Sequence, residues 1–172
     1  MNAPAMRTIV VEACSPDDIR LAPNLDDLVV EYAHEARLAE MPWPRVDWET
    51  YRSMERAGIL HVFSARSDGT LVGFVVLIIS MMPEYGVRLA CTEAFFVAQA
   101  WRSTGAGLKL LAAAEAKARE LKAPGLAVSA PLGGKLAEVL VKARFREVGR
   151  TFFKSYANGY ASDTPPVGVI DA

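Results

Sequence analysis

The sequence predicts a mixed α/β fold, of the α+β kind, in which a central mixed, mostly antiparallel sheet is flanked by helices on both faces. Three observations carry this. The apolar period switches repeatedly between two and about 3.6 along the chain. Two β-branched runs are joined by Ser67-Asp68-Gly69-Thr70, whose Asp-Gly pair is a hairpin signal. Finally, an apolar strand-like run passes directly into an Ala- and Leu-rich helix from Gly105 onward.

The elements follow in order. Residues 7–13 (RTIVVEA) fit a first strand, closed by Ser15-Pro16-Asp17-Asp18, which has the form of a helix start. Leu25, Leu28, Val29, Tyr32 and Ala36 recur at helical spacing and predict a helix over about 24–40. The prolines of Met41-Pro42-Trp43-Pro44 must end it, and a short helix over 47–57 follows before Gly58. Residues 59–66 and 71–80 are the two hairpin strands, 81–86 a loop, and 88–98 a fourth strand. The helix over 105–122 places Leu108, Leu111, Ala118 and Leu121 on about one face, and Pro124-Gly125 stops it. Residues 126–130 (LAVSA) read as an inner strand covered on both faces. A further helix has Leu136, Ala137, Leu140 and Val141 as its buried stripe, and a last strand runs over about 146–156 with Val148, Phe152 and Tyr156.

At 172 residues, 52% hydrophobic and 23% charged, the chain is long enough to build one core without metals or disulfides. Residues 1–156 form a single domain, and 157–172, with its Gly, Asp and paired prolines, has the composition of a mobile tail. Cys14 and Cys91 are too few and too far apart for a disulfide framework and read as reduced and inert. A net charge of -1 with interleaved signs argues against nucleic acid and anionic membrane as partners. The N-terminus lacks the pattern of a secretory signal, and the longest apolar run, Leu71 to Met82, is too short for a spanning helix, so a cytoplasmic location is expected. A homodimer is the expected assembly if the chain associates.

The informative stretch is Val97-Ala98-Gln99-Ala100-Trp101-Arg102-Ser103-Thr104-Gly105-Ala106-Gly107-Leu108. It ends a strand, turns and opens a helix. The first amides of a helix have no intrahelical acceptors and carry the positive end of its dipole, so they form an anion site. Glycines there let phosphate oxygens approach the backbone, and Arg102 adds a permanent cation that either supports a diphosphate or packs over the turn. The stretch has neither the Gly-Lys-Ser/Thr ending of a P-loop nor a Gly-x-Gly-x-x-Gly dinucleotide fingerprint.

This stretch resembles motif A of the GNAT superfamily of N-acetyltransferases, Val-x-Pro-x-Tyr-Arg-x-x-Gly-x-Gly. It matches at Val97, Arg102, Gly105 and Gly107, with Trp101 for the frequent Tyr and Gln99 for the frequent Pro. The order of elements resembles the same fold over about residues 7–156. The resemblance implies acetyl-coenzyme A as co-substrate, with no metal, and a small-molecule or peptide amine as acceptor. It implies that the amides of Arg102, Ser103, Thr104, Gly105, Ala106, Gly107 and Leu108 bind diphosphate, while Phe96, Val97 and Ala98 line the pantetheine arm.

Glu93 stands where many members of that family carry a glutamate, and the resemblance makes it the general base. By strand alternation it lies on the same face as Phe95 and Val97, in an apolar strand that would push its pKa up. The alternative is a structural pairing with an arginine such as Arg88. The family's usual Leu-Tyr-x-x-x-Gly-Phe is Leu140-Val141-Lys142-Ala143-Arg144-Phe145 here, so the tyrosine that protonates the thiolate is replaced by Val141. Tyr85 and Tyr156 are then candidate donors, or packing aromatics. Trp43 borders a loop that in such proteins often walls the acceptor site, unless it only anchors that loop. Glu84 and Tyr85 are further acceptor-site candidates. His34 and His61 are isolated and make no metal site. The missing tyrosine leaves a second expectation open, a non-catalytic acyl-coenzyme A sensor or partner-binding module.

Overall fold

The computed structural model describes residues 8–38 and 40–156. Their order is β1 (Val10–Cys14), α1 (Pro16–Arg20), α2 (Leu25–Ala36), α3 (Trp48–Arg56), β2 (Leu60–Ser67), β3 (Thr70–Met82), β4 (Val87–Val97), a 3-10 helix (Gln99–Thr104), α4 (Ala106–Glu120), β5 (Leu126–Ala127) and α5 (Lys135–Lys142). Among the described residues the strands form one five-stranded sheet in the order β1-β2-β3-β4-β5, antiparallel except for the parallel β4–β5 pair. The mixed sheet expected from the sequence is present. The proposed tail, 157–172, lies outside the described residues.

Period-two alternation in β2 and β3 sends side chains to two separate cores. Val62, Phe74 and Val76 pack with Leu25, Leu28 and Val29 under the first three helices. Phe63, Val75 and Leu77 pack with Leu110 and Ala114 of α4 on the other face. Trp101 touches both clusters and so sits where the sheet ends and α4 begins. Ser15 starts α1 with a reciprocal capping box to Asp18, and Asp47 caps α3 through the Thr50 amide. Arg52 of α3 reaches Asp17 at 2.8 Å, which clasps α1 to α3.

Several boundaries and faces depart from expectation. The helix expected over 24–40 ends at Ala36. On α4 the buried stripe is Ala106, Leu110, Leu111, Ala114 and Ala118, while Leu108 is exposed. On α5 only Leu140 is buried, with Leu136 and Val139 half-buried, so the stripe follows i, i+3, i+4 spacing and leaves Val141 outside. β5 is a two-residue edge strand, not an inner one. Residues 146–156 adopt no regular structure, and Val148, Phe152 and Tyr156 are exposed. Without a neighbour to accept its backbone hydrogen bonds, strand propensity alone does not make a strand.

Candidate active site

The site is built on β4. Ala94 lies opposite Val76 and Thr92 opposite Leu77, so Glu93 is an extra residue with no partner on β3, a β-bulge. Val76 belongs to the α2/α3 core and Leu77 to the α4 core, hence the two sides of the bulge face opposite ways. Glu93 is turned toward α2 and α3. There its carboxylate acts on two phenols: burial first and Glu93 second raise the pKa of Tyr32, and the same causes push Tyr51 up to about 12. The expectation that Glu93 shares a face with Phe95 and Val97 is therefore wrong, because those two point to α4. Its side chain is also exposed rather than embedded in the apolar strand, and no ion pair joins it to Arg88.

The neighbouring strand leaves early. β5 pairs with β4 only at Leu126 and Ala127, opposite Ala90 and Cys91. Beyond them the Ser129 amide donates to Thr92 Oγ1 at 3.1 Å, and the chains then diverge. A cleft of about 1060 Å³ opens between the second half of β4 and residues 129–139, with α2 and the 3-10 helix completing its wall. Glu93, Phe96, Val97, Arg102, Ser103 and Gly107 all line it, which brings together the proposed base and half of the proposed cofactor residues. Ala98, Thr104, Gly105, Ala106 and Leu108 do not line it. Ala98 and Ala106 are buried, and Leu108 faces solvent.

At the mouth of the cleft α4 begins with no side-chain cap among the described residues and no acidic residue in its first turn. Its first i to i−4 bond runs from the Lys109 amide to the Gly105 carbonyl at 3.1 Å, so the amides of Ala106, Gly107 and Leu108 precede the helical ladder. Gly105 holds φ 84 and ψ 3, a left-handed backbone that supplies the sharp entry. An alanine there would be strained, not helix-stabilising. Gly107 is ordinary helix, where an added Cβ would lie 3.7 Å from Val97 Cγ2.

Arg102 is already engaged. Its Nε donates to the Val97 carbonyl at 2.9 Å, and its Nη2 donates to both oxygens of Glu35 at 2.7 and 2.8 Å. Glu31, one turn earlier, accepts from the Gln99 amide at 2.6 Å. These contacts hold the side chain over the turn at the cleft wall. Its partners on α2 were not foreseen, although Glu31 and Glu35 stand four apart on one helix. Also unforeseen as cleft residues were Tyr32, Thr92 and the segment from Ser129 to Leu136.

Other expected residues lie elsewhere. Trp43 is buried edge-on to His34 at 5.3 Å with Arg37 over its ring, so it anchors its loop and does not line the cleft. Glu84 and Tyr85 form the tip of the β3–β4 hairpin, roughly 20 Å along the strand from Glu93 at about 3.3 Å per residue. Tyr156 is exposed and also away from the cleft, and Val141 faces solvent; the α5 side chains at the cleft are Lys135, Leu136 and Val139. Cys14 and Cys91 are free thiols, and burial pushes Cys14 up to about 11, which keeps it unreactive. Among the described residues no cluster of metal-ligating side chains occurs, and no helix is long and apolar enough to cross a membrane.

The model of the acetyltransferase (GNAT) family matches residues 23–131, well over half of the chain. The chain belongs to the GNAT acetyltransferase family. No curated protein matches it. Among solved structures, it is similar to a ribosomal-protein-alanine N-acetyltransferase from Brucella melitensis biovar Abortus 2308, at 20% identity and a TM-score of 0.63 over 88% of this chain and 100% of that one. It is similar to an aminoglycoside acetyltransferase from an uncultured soil metagenomic sample, in complex with sisomicin, at 18% identity and a TM-score of 0.65 over 87% and 97% of the two chains. A third, AAC(6')-Iy in complex with the bisubstrate analog CoA-S-monomethyl-acetylneamine, has 18% identity and a TM-score of 0.64 over 88% and 99%. At these identities the likeness is one of fold.

Proposed function

We propose that the protein transfers the acetyl group of acetyl-coenzyme A to a primary amine by direct attack. The observation that carries this reading is one cleft bounded by the open half of β4, a helix N-terminus without a side-chain cap and a carboxylate without an ion pair, both among the described residues. The residues fit the co-substrate: amides ahead of the α4 ladder suit a diphosphate, and the unpaired edge of β4 suits an amide-bearing arm. A neighbour of the same fold was solved with a coenzyme A bisubstrate analog, which supports the same use of the cleft.

In this reading Glu93, or a water it holds, takes a proton from the acceptor ammonium. The free amine attacks the thioester carbonyl, whose developing charge is met by a backbone amide on the open edge of β4. A C–N bond replaces the C–S bond, the nitrogen gives up its second proton, and the departing sulfur gains one. Val141 cannot supply that last proton, and water serves because a thiolate is a tolerable leaving group near neutral pH.

The decisive measurement is an acetyl-coenzyme A-dependent thiol-release screen across amino acids, peptides, polyamines, aminoglycosides and simple amines, run beside calorimetric titration of coenzyme A. Turnover with any amine supports the reading. Tight coenzyme A binding without turnover favours the second reading, a non-catalytic acyl-coenzyme A sensor. That alternative is motivated by Val141, which stands in the place of the family's tyrosine and offers no proton.

A further inference from the structure

The charges and rings around Glu93 narrow the acceptor, given the acetyltransferase reading above on which this step rests. We propose that the acceptor carries one positive charge, at the reacting amine, on an uncharged and partly apolar body, with its ammonium seated on Glu93 beside the ring of Tyr32. Tyr32 and Glu93 share the cleft wall. Tyr32 is set by Phe96 at 5.7 Å and Phe74 at 6.3 Å. A ring fixed in this way stands pre-ordered beside a carboxylate, and an ammonium is drawn to both the carboxylate and a ring face.

The count of available negative charge decides against a polycation. Glu35, the other carboxylate of the cleft, is bidentate to Arg102. Glu31 is taken by the Gln99 amide and lies 3.8 Å from Arg102. On α3, Glu49 is paired with Arg52 and Arg56, and Asp47 caps its own helix. Glu93 is thus the one cleft carboxylate without an ion pair among the described residues. A second cationic group would find no further unpaired carboxylate among the described residues of the cleft wall and would meet Lys135 there, while Ala36, Ala94 and Phe96 offer apolar contact to an uncharged body.

The test uses the full chain with acetyl-coenzyme A and three acceptors: phenethylamine, the linear triamine spermidine, and the aminoglycoside sisomicin. The expected kcat/KM for phenethylamine exceeds both others by at least tenfold. In Tyr32→Leu that preference should fall to within threefold, a ratio that does not depend on the fraction of enzyme folded. A measurement needing no variant runs alongside. Phenethyl-trimethylammonium, which cannot be acetylated, should compete with phenethylamine at least tenfold better than its uncharged tert-butyl isostere. Equal or better turnover of spermidine or sisomicin overturns the inference while leaving the acetyltransferase intact, as does an isostere that competes equally. No thiol release with any amine would overturn the acetyltransferase reading, and this inference with it.

Discussion

The two halves of β4 differ in one respect from which the rest follows. From Val87 to Cys91 the strand has β3 on one edge and, at Ala90 and Cys91, β5 on the other. From Thr92 to Val97 it keeps β3 but loses β5, and the bulge at Glu93 marks the change. The first half is structural. In the second half the same backbone has donors and acceptors with no strand alongside among the described residues, a cleft in the place of a neighbour, and a carboxylate turned to a new face. The candidate site is a sheet left incomplete, and the part that stays complete must hold it in place.

That division predicts the largest effect at Leu77, which is fully buried, lies opposite Thr92 at the bulge and packs in the α4 core. Leu77→Ala should cost about 2–5 kcal/mol of unfolding free energy, the range for an emptied core leucine. By contrast Val141→Ala, at an exposed position of α5, should stay within about 0.5 kcal/mol. Urea denaturation of both variants checks the pair, and similar losses would erase the distinction between the packed sheet and the loosely held C-terminal segment.

At the bulge itself the effect should fall on chemistry. Glu93→Gln keeps the size and exposure of the side chain but cannot take a proton, so kcat should fall at least hundredfold while coenzyme A affinity and melting temperature barely move. Full activity in that variant would remove Glu93 from the mechanism.

What the sequence disclosed follows the same division. The strand-to-helix turn was readable because its chemistry is local: Arg102, Gly105 and Gly107 sit within six residues, and glycine spacing survives without tertiary context. The direction of Glu93 was not readable, since a bulge is one uncounted residue and strict alternation assigned it to the wrong face. Arg102's partner lies 67 residues away on α2, beyond any local pattern. Residues 146–156 have the composition of a strand, but pairing depends on a neighbour that the described residues do not provide.

Two glycines of the turn sharpen the contrast between holding the fold and holding a ligand. Gly105→Ala must adopt φ near 84, a left-handed conformation costing a non-glycine residue roughly 1–2 kcal/mol, so it should lower stability even without ligand. Gly107→Ala has ordinary helical geometry and open contact with Val97, and should keep or raise stability by up to about 1 kcal/mol. Its new methyl group lies at the cleft, so coenzyme A affinity should drop about tenfold, equivalent to about 1.4 kcal/mol. Calorimetry beside melting curves separates the two, and unchanged affinity in Gly107→Ala would count directly against a diphosphate at this helix start.

The smallest expected effect reads the α4 face of the sheet at the level of the bulge. His61 pairs with Leu77, which pairs with Thr92, so the three form one row across β2, β3 and β4. Burial first, and then the Lys117 ammonium of α4, lower the His61 pKa from its ordinary 6.5, and its Nε2 is buried with no hydrogen-bond partner among the described residues. The unfolded chain therefore binds a proton near pH 6.5 that the folded chain takes up only at lower pH. Stability must then rise with pH across that window and fall as the solution is acidified from about pH 7. Removing the titrating group by His61→Gln should flatten this part of the profile, and Lys117→Gln should flatten it less, because burial is the larger cause. Urea midpoints at pH 7.5 and 5.5 for the three proteins give the comparison. An acid-induced loss that is the same in all three would show that His61 is hydrated in solution and that this face of the row is not closed by α4.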